Sequence, residues 1–106
     1  MQSKFITSRN QSMFYYVYIL RSQKDGSLYI GYTTDLRRRF KQHNLGESLA
    51  TKPHRPYKLI FYEAFLNRID AKHREEYLKS GWGNRSIKKL LRKYLEHDLI
   101  NELRVR

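Results

Sequence analysis

From Phe14 to Leu20 the chain reads Phe-Tyr-Tyr-Val-Tyr-Ile-Leu, with no polar break in the run. A strand alternates its side chains between two faces, so both faces of this one are apolar and both need cover. Aromatic and β-branched residues favour that setting. Ser22 to Ser27 is polar and contains Asp25-Gly26, a strong turn signal, and Leu28 to Tyr32 reads as the return strand. Opposed residues share a face. Any register whose paired numbers sum to an odd value therefore puts Tyr18 and Tyr29 on the same face. A two-residue turn at Asp25-Gly26 offsets them by four residues, and a six-residue loop over 21–26 sets them opposite. The sequence leaves both registers open.

Thr33, Thr34 and Asp35 offer an N-cap and an acidic first turn, so a helix is expected from here to about Asn44, with Gly46 stopping it. At about 100° per residue, Leu36, Arg39, Phe40 and His43 fall within one arc, while Arg37, Arg38 and Lys41 point elsewhere. Arg39 and His43 are i,i+4 neighbours and can converge on one ligand. Residues 45–56 form a polar loop, and Tyr57 to Ala64 reads as a third strand. Asn67, with Asp70 three residues on, resembles a capping box for a helix running to about Lys79. Gly81-Trp82-Gly83 is expected to break that helix. Trp82 reads as a core plug or, alternatively, a base-stacking platform. Asn84 or Ser86 then caps a last helix with the stripe Ile87, Leu90, Leu91, Tyr94 and Leu95. The order β-β-α-β-α-α implies an α+β fold, a three-stranded mixed or antiparallel sheet flanked by helices. Residues 1–12 are polar and Met13 is a natural start. A flexible tail over 1–12, a domain over 13–96 and an extension over 97–106 are expected.

Charge sets the class of partner. Twenty-two Lys and Arg oppose ten Asp and Glu, a net charge of +12 in 106 residues, and such an excess draws polyanions. Asp35–Lys58 holds seven Lys and Arg against two acids, and Lys79–Tyr94 holds six against none. Nucleic acid, DNA first, fits better than membrane. No apolar run approaches the roughly 20 residues of a spanning helix, and no secretory leader pattern opens the chain. Arg37, Arg38, Lys41, Lys52, Arg55, Lys79, Arg85, Lys88 and Lys89 are the candidate nucleic-acid contacts. No helix-turn-helix or zinc-finger pattern occurs, so base-specific readout is not implied. The chain has no cysteine. That excludes disulfides, Cys-ligated zinc and thiol nucleophiles, and it fits a cytoplasmic location. His43, His54, His73 and His97 are scattered and suggest no zinc site.

Tyr16-Val17-Tyr18, Tyr29-Ile30-Gly31, the Arg-x-x-x-His of Arg39 and His43, and the isolated Glu75 together resemble the GIY-YIG nuclease family, over about Phe14 to Leu95. The small stand-alone members are the most similar, rather than multi-domain excision-repair or homing enzymes. The first signature departs from its name, since Tyr16-Val17-Tyr18 stands where Gly-Ile-Tyr would be, but its final tyrosine is present. The resemblance implies a phosphodiester hydrolase with Tyr18, Tyr29, Arg39, His43, Glu75 and a late asparagine, Asn84, as its catalytic set. Glu75 would be the ligand of Mg²⁺ or another divalent cation such as Mn²⁺.

The chemistry these residue types offer is consistent. Hydrolysis needs an activated water, a counter-charge for the phosphate and help for the leaving 3′ oxygen. One carboxylate suffices for Mg²⁺, which keeps several waters. Arg39 presents a planar fork to phosphate oxygens. A metal and an arginine nearby favour the phenolate of Tyr18, which could take a proton from water. Tyr29 could orient that water, and His43 could relay the proton away. Which tyrosine is the base stays open, and Glu76 rivals Glu75. The leading reading is a Mg²⁺-dependent DNA endonuclease, selective for structure or weakly for sequence. A non-cleaving basic nucleic-acid-binding module and a protein-interaction domain are the alternatives.

Overall fold

The computed structural model describes residues 13–105, so the expected tail over 1–12 lies outside the described residues. Strands β1 (Tyr15–Ser22), β2 (Leu28–Thr33) and β3 (Tyr57–Phe65) form one antiparallel sheet in the order β2-β1-β3. The unbroken apolar run thus occupies the central strand. Val17, Tyr18, Ile19 and Leu20 are all buried, none more than 1% exposed. In the β1–β2 hairpin Tyr18 faces Gly31 and Leu20 faces Tyr29. The Ser22 amide donates to Ser27 O at 2.8 Å and the Gly26 amide to Ser22 O at 2.9 Å, closing a loop over 23–26. This register lies between the two considered from sequence. Its paired numbers still sum to an odd value, so Tyr18 and Tyr29 share a face.

Helix α1 (Leu36–Asn44) starts where the cap signal places it, with the Asp35 carboxylate accepting from the Arg38 amide at 3.1 Å. Past its end Gly46 has φ +81°, the left-handed region that favours glycine. Leu36 and Phe40 of α1 pack with Tyr18, Leu20, Tyr29, Tyr57 and Leu59, so α1 covers the Tyr18 face of the sheet. The loop over 45–56 contains one short 3₁₀ turn, Lys52–His54, and is tied to its surroundings. Ser22 Oγ donates to His54 O at 2.5 Å, and His54 Nδ1 lies 2.7 Å from the Asp25 carboxylate. Asn44 bonds both the N–H and the C=O of Tyr57, at 2.7 and 3.0 Å.

Helix α2 (Arg68–Lys79) follows the Asn67 cap, whose side-chain oxygen accepts from the Ile69 and Asp70 amides at 2.8 and 3.2 Å. It covers the other face. Val17 pairs with Tyr32 on one side and Glu63 on the other. Lys72 sits 4.5 Å from the Tyr32 ring centroid, and Arg74 Nε donates to Glu63 at 2.7 Å. Ala71 is fully buried on the same helix.

Two compact units divide after Glu75, within α2. The second holds the end of α2, then α3 (Gly81–Leu90) and α4 (Arg92–Val105). Here the structure corrects three expectations. Ser80, not Asn84 or Ser86, caps α3, accepting from the Gly83 amide at 3.1 Å; α2 does end at Lys79, and the Gly-Trp-Gly segment opens the next helix. Trp82 is no core plug, being 72% exposed. Gly83 is the close-packed residue of that corner, because a Cβ there would collide with the Tyr77 carbonyl oxygen and meet Leu78 Cα at 2.5 Å. The stripe from Ile87 to Leu95 spans two helices, interrupted at Leu91, whose amide bonds back to Ile87 O and Lys89 O. No glycine or proline marks that interruption. Among the described residues no helix is long and apolar enough to cross a membrane.

Candidate functional site

Alternation along β1 aims Tyr18 at α1, and the arc of α1 aims Arg39 and His43 back at it. The hydroxyl of Tyr18 lies 2.8 Å from His43 Nε2, and His43 Nδ1 lies 2.8 Å from Thr51 Oγ1. Thr51 Oγ1 in turn donates to Ser48 O at 3.5 Å. His43 and Thr51 are both fully buried. Arg39 lies near enough to favour the charged form of Tyr18, and its own guanidinium donates to Gln42 at 3.1 Å. Thr51 has one hydroxyl proton and gives it to the Ser48 carbonyl, so its oxygen accepts from His43 Nδ1. The neutral imidazole then offers Nε2 as the acceptor for the Tyr18 hydroxyl. The result is one directed chain: Tyr18, His43, Thr51, Ser48 carbonyl.

Electrostatics fit that direction. Burial is the main force lowering His43, to a pKa of about 4, and the Arg39 charge adds to it. The imidazole is therefore neutral near pH 7 and free to accept. Burial also dominates at Tyr18, pushing it up to about 12 against the opposing influence of Arg39. Arg39 does favour the phenolate, as expected, but burial outweighs it. A phenol that is 1% exposed loses more by desolvation than Arg39 returns.

The ring of Tyr29 packs edge-on to His43, centroids 5.1 Å apart, and stands 6.5 Å from the Tyr18 ring. Gly31 is required beneath this group, because any Cβ would run into the Tyr18 hydroxyl and ring. Tyr29 and Glu75 are close enough to Tyr18 to oppose its ionisation, whereas Arg39 favours it. The Glu75 carboxylate is 13% exposed and 3.2 Å from Lys72 Nζ. Glu76 is exposed and falls in the second unit. Tyr18, Tyr29, Arg39, His43 and Glu75 thus gather in the first unit. Asn84 lies in the second, exposed on the first turn of α3. Among the described residues no three His, Asp or Glu side chains cluster. A metal here would rest on Glu75, with water and substrate oxygens completing its shell, which suits Mg²⁺.

Of the basic candidates, Arg37, Arg38 and Lys41 are exposed on α1, and Lys52 and Arg55 are exposed beside Lys24 in a groove also lined by Asn44, Pro53 and Pro56. Lys79, Arg85, Lys88 and Lys89 are exposed in the second unit. Sequence reasoning missed Thr51, which sits in a loop eight residues beyond His43 with no periodic pattern to flag it. It also missed Tyr62, which pairs with Tyr18 across the sheet and is 53% exposed.

Comparison with known proteins shows the family. Residues 14–90 match the GIY-YIG catalytic domain. A UPF0213 protein of Clostridium perfringens is 38% identical over 84 residues, which is 78% of this chain and 89% of that protein. A UPF0213 protein of Haloquadratum walsbyi is 44% identical over 68 residues, 63% of this chain and 75% of that one. The solution NMR structure of a UPF0213 protein from Bacillus halodurans is 37% identical, covers 74% of this chain and 85% of that chain, and superposes with a TM-score of 0.48. With its signature strands, its Arg39–His43 helix and a family match running from β1 to the end of α3, the chain belongs to the GIY-YIG nuclease family.

Proposed function

We propose that this protein is a Mg²⁺-dependent DNA endonuclease, selective for substrate structure or weakly for sequence. The observation that carries the reading is the buried chain from Tyr18 through His43 to Thr51, with the Arg39 charge near the Tyr18 phenol. Such a chain gives a proton somewhere to go. Arg39 binds a phosphate oxygen of the scissile group with its planar fork. That contact brings the phosphate and the attacking water toward the phenol oxygen of Tyr18. The water forms its bond to phosphorus while its proton passes to Tyr18, and the Tyr18 proton passes to His43 Nε2. The bond from phosphorus to the 3′ oxygen breaks, and that oxygen takes a proton from solvent. A phosphate anion beside Arg39 offsets the positive charge that depresses His43, which makes the imidazole a better acceptor at the moment it is needed. Tyr29, packed on His43, orients the water. Glu75 would hold the Mg²⁺, whose positive charge would offset the negative charge of the phosphate and the departing 3′ oxygen.

Incubation with branched, flapped, nicked and linear DNA, and with RNA, with and without Mg²⁺, tests the proposal. Metal-dependent cleavage of at least one DNA form is expected. Salt-sensitive binding to all of them with cleavage of none would refute it.

A further inference from the structure

The second unit carries a feature that the chemistry above does not use. Trp82, the chain's single tryptophan, stands in the first turn of α3 with 72% of its surface exposed. The Arg85 guanidinium carbon lies over the indole, 4.6 Å from the ring centroid. Positions 82, 85 and 89 share one side of the helix by i,i+3,i+7 spacing. Arg85, Lys88 and Lys89 are all exposed, and residues 79–94 contain no acid.

A lone exposed apolar residue needs no explanation. The setting of this one does. The cations around it demand an anionic partner, which argues against an ordinary protein contact. A phosphate backbone alone would use the cations and leave the indole in water. An unpaired nucleobase uses both, stacking on the open π-face while its phosphates meet Arg85, Lys88 and Lys89. The pairing of Arg85 with Trp82 also holds both side chains in place before a ligand arrives, which lowers the ordering cost of binding.

We propose that Trp82 and Arg85 form a stacking platform for an unpaired base of single-stranded nucleic acid, flanked by Lys88 and Lys89 on the phosphates. It rests on the reading of nucleic acid as substrate and adds the strand type, which duplex DNA with its bases stacked inside does not present.

The single tryptophan makes the test direct. Trp82 fluorescence is titrated with a single-stranded oligonucleotide and with an abasic oligonucleotide of equal length. Phosphatidylserine vesicles form a third arm. Binding is followed separately by anisotropy of a labelled oligonucleotide. Quenching by the base-bearing strand and not by the abasic one is expected. Trp82→Ala should weaken single-strand binding about 5- to 150-fold, the scale of one lost base stack, and Trp82→Phe should recover part of it. Lys88→Ala should retain quenching at saturation and lower the salt slope by about 0.7. Binding without quenching, or equal affinity for the abasic strand, overturns the platform and leaves the nuclease proposal standing. Quenching without any Mg²⁺-dependent cleavage supports the platform and counts against the nuclease proposal. A response to vesicles alone assigns the surface to lipid and overturns the platform.

Discussion

Tyr18 and Ile19 are neighbours on β1 and equally hidden, 1% and 0% exposed. They face opposite sides of the sheet and serve different ends. Ile19 points away from α1 and contributes apolar area. Tyr18 points toward α1, where its hydroxyl meets His43 near Arg39. Burial on that side therefore does more than stabilise. It keeps the phenol protonated, up to about pH 12, and the imidazole unprotonated, down to about pH 4. The lesson is that depth alone does not separate scaffold from chemistry on a central strand; what a buried polar atom finds there does.

The sharpest way to break this contrast is to remove only the hydroxyl. Tyr18→Phe should slow single-turnover cleavage in Mg²⁺ on the order of 10²–10⁴-fold, the scale of a lost proton acceptor, while the ring still packs. A rate equal to that of the unaltered protein would put Tyr18 on the same footing as Ile19. Next in size are the charged groups near Tyr18, Arg39 from α1 and Glu75 from α2. Arg39→Ala and Glu75→Gln should each lower cleavage about 10²–10³-fold, as expected for a removed charge stabiliser, and Glu75→Gln should leave DNA binding by gel shift intact. Full cleavage by Glu75→Gln would remove Glu75 from the site.

The third effect concerns acid. His43 binds its proton more weakly folded than unfolded, at about 4 against 6.5. The unfolded chain thus takes up the extra proton between those values, and stability falls as pH falls through that window. The loss attributable to His43 should reach roughly 3 kcal/mol by pH 4. Urea unfolding of the unaltered protein and of His43→Gln at pH 7 and pH 4 reads it as a difference. Equal acid losses in the two proteins would mean that His43 is not held neutral by the fold. The smallest effect belongs to the scaffold side. Ile19→Val should cost about 0.5–1.5 kcal/mol of stability with the cleavage rate of the folded protein unchanged. A fall in rate beyond that explained by unfolding would show that both faces of β1 set the site geometry.

Much of this was legible in the residues. The seven-residue apolar run announced the central strand. The arc holding Leu36, Arg39, Phe40 and His43 announced which side of α1 turns inward, and the parity rule put Tyr18 and Tyr29 together without the register being known. The failures have particular causes. Arg39 favours the Tyr18 phenolate as its sequence position suggests, but the larger opposing effect is burial, and sequence gives the cation without the depth. Thr51 lies in a loop without periodicity, so only the fold brings it to His43. Trp82 was read by residue type, whereas the corner of α2 and α3 is packed by Gly83 through close backbone approach. The interruption at Leu91 carries no local signal.

The directed chain from Tyr18 to the Ser48 carbonyl underlies the proton route assigned on the Tyr18 face, and the tautomer of His43 tests it most directly. Nitrogen-15 NMR of the histidine rings, followed from pH 8 to pH 4, distinguishes the two ring nitrogens. His43 should carry its proton on Nδ1, with Nε2 unprotonated, and should stay neutral until the pH approaches about 4. A proton resident on Nε2, or titration at the ordinary value near 6.5, would reverse the chain and leave Tyr18 without an acceptor for its proton.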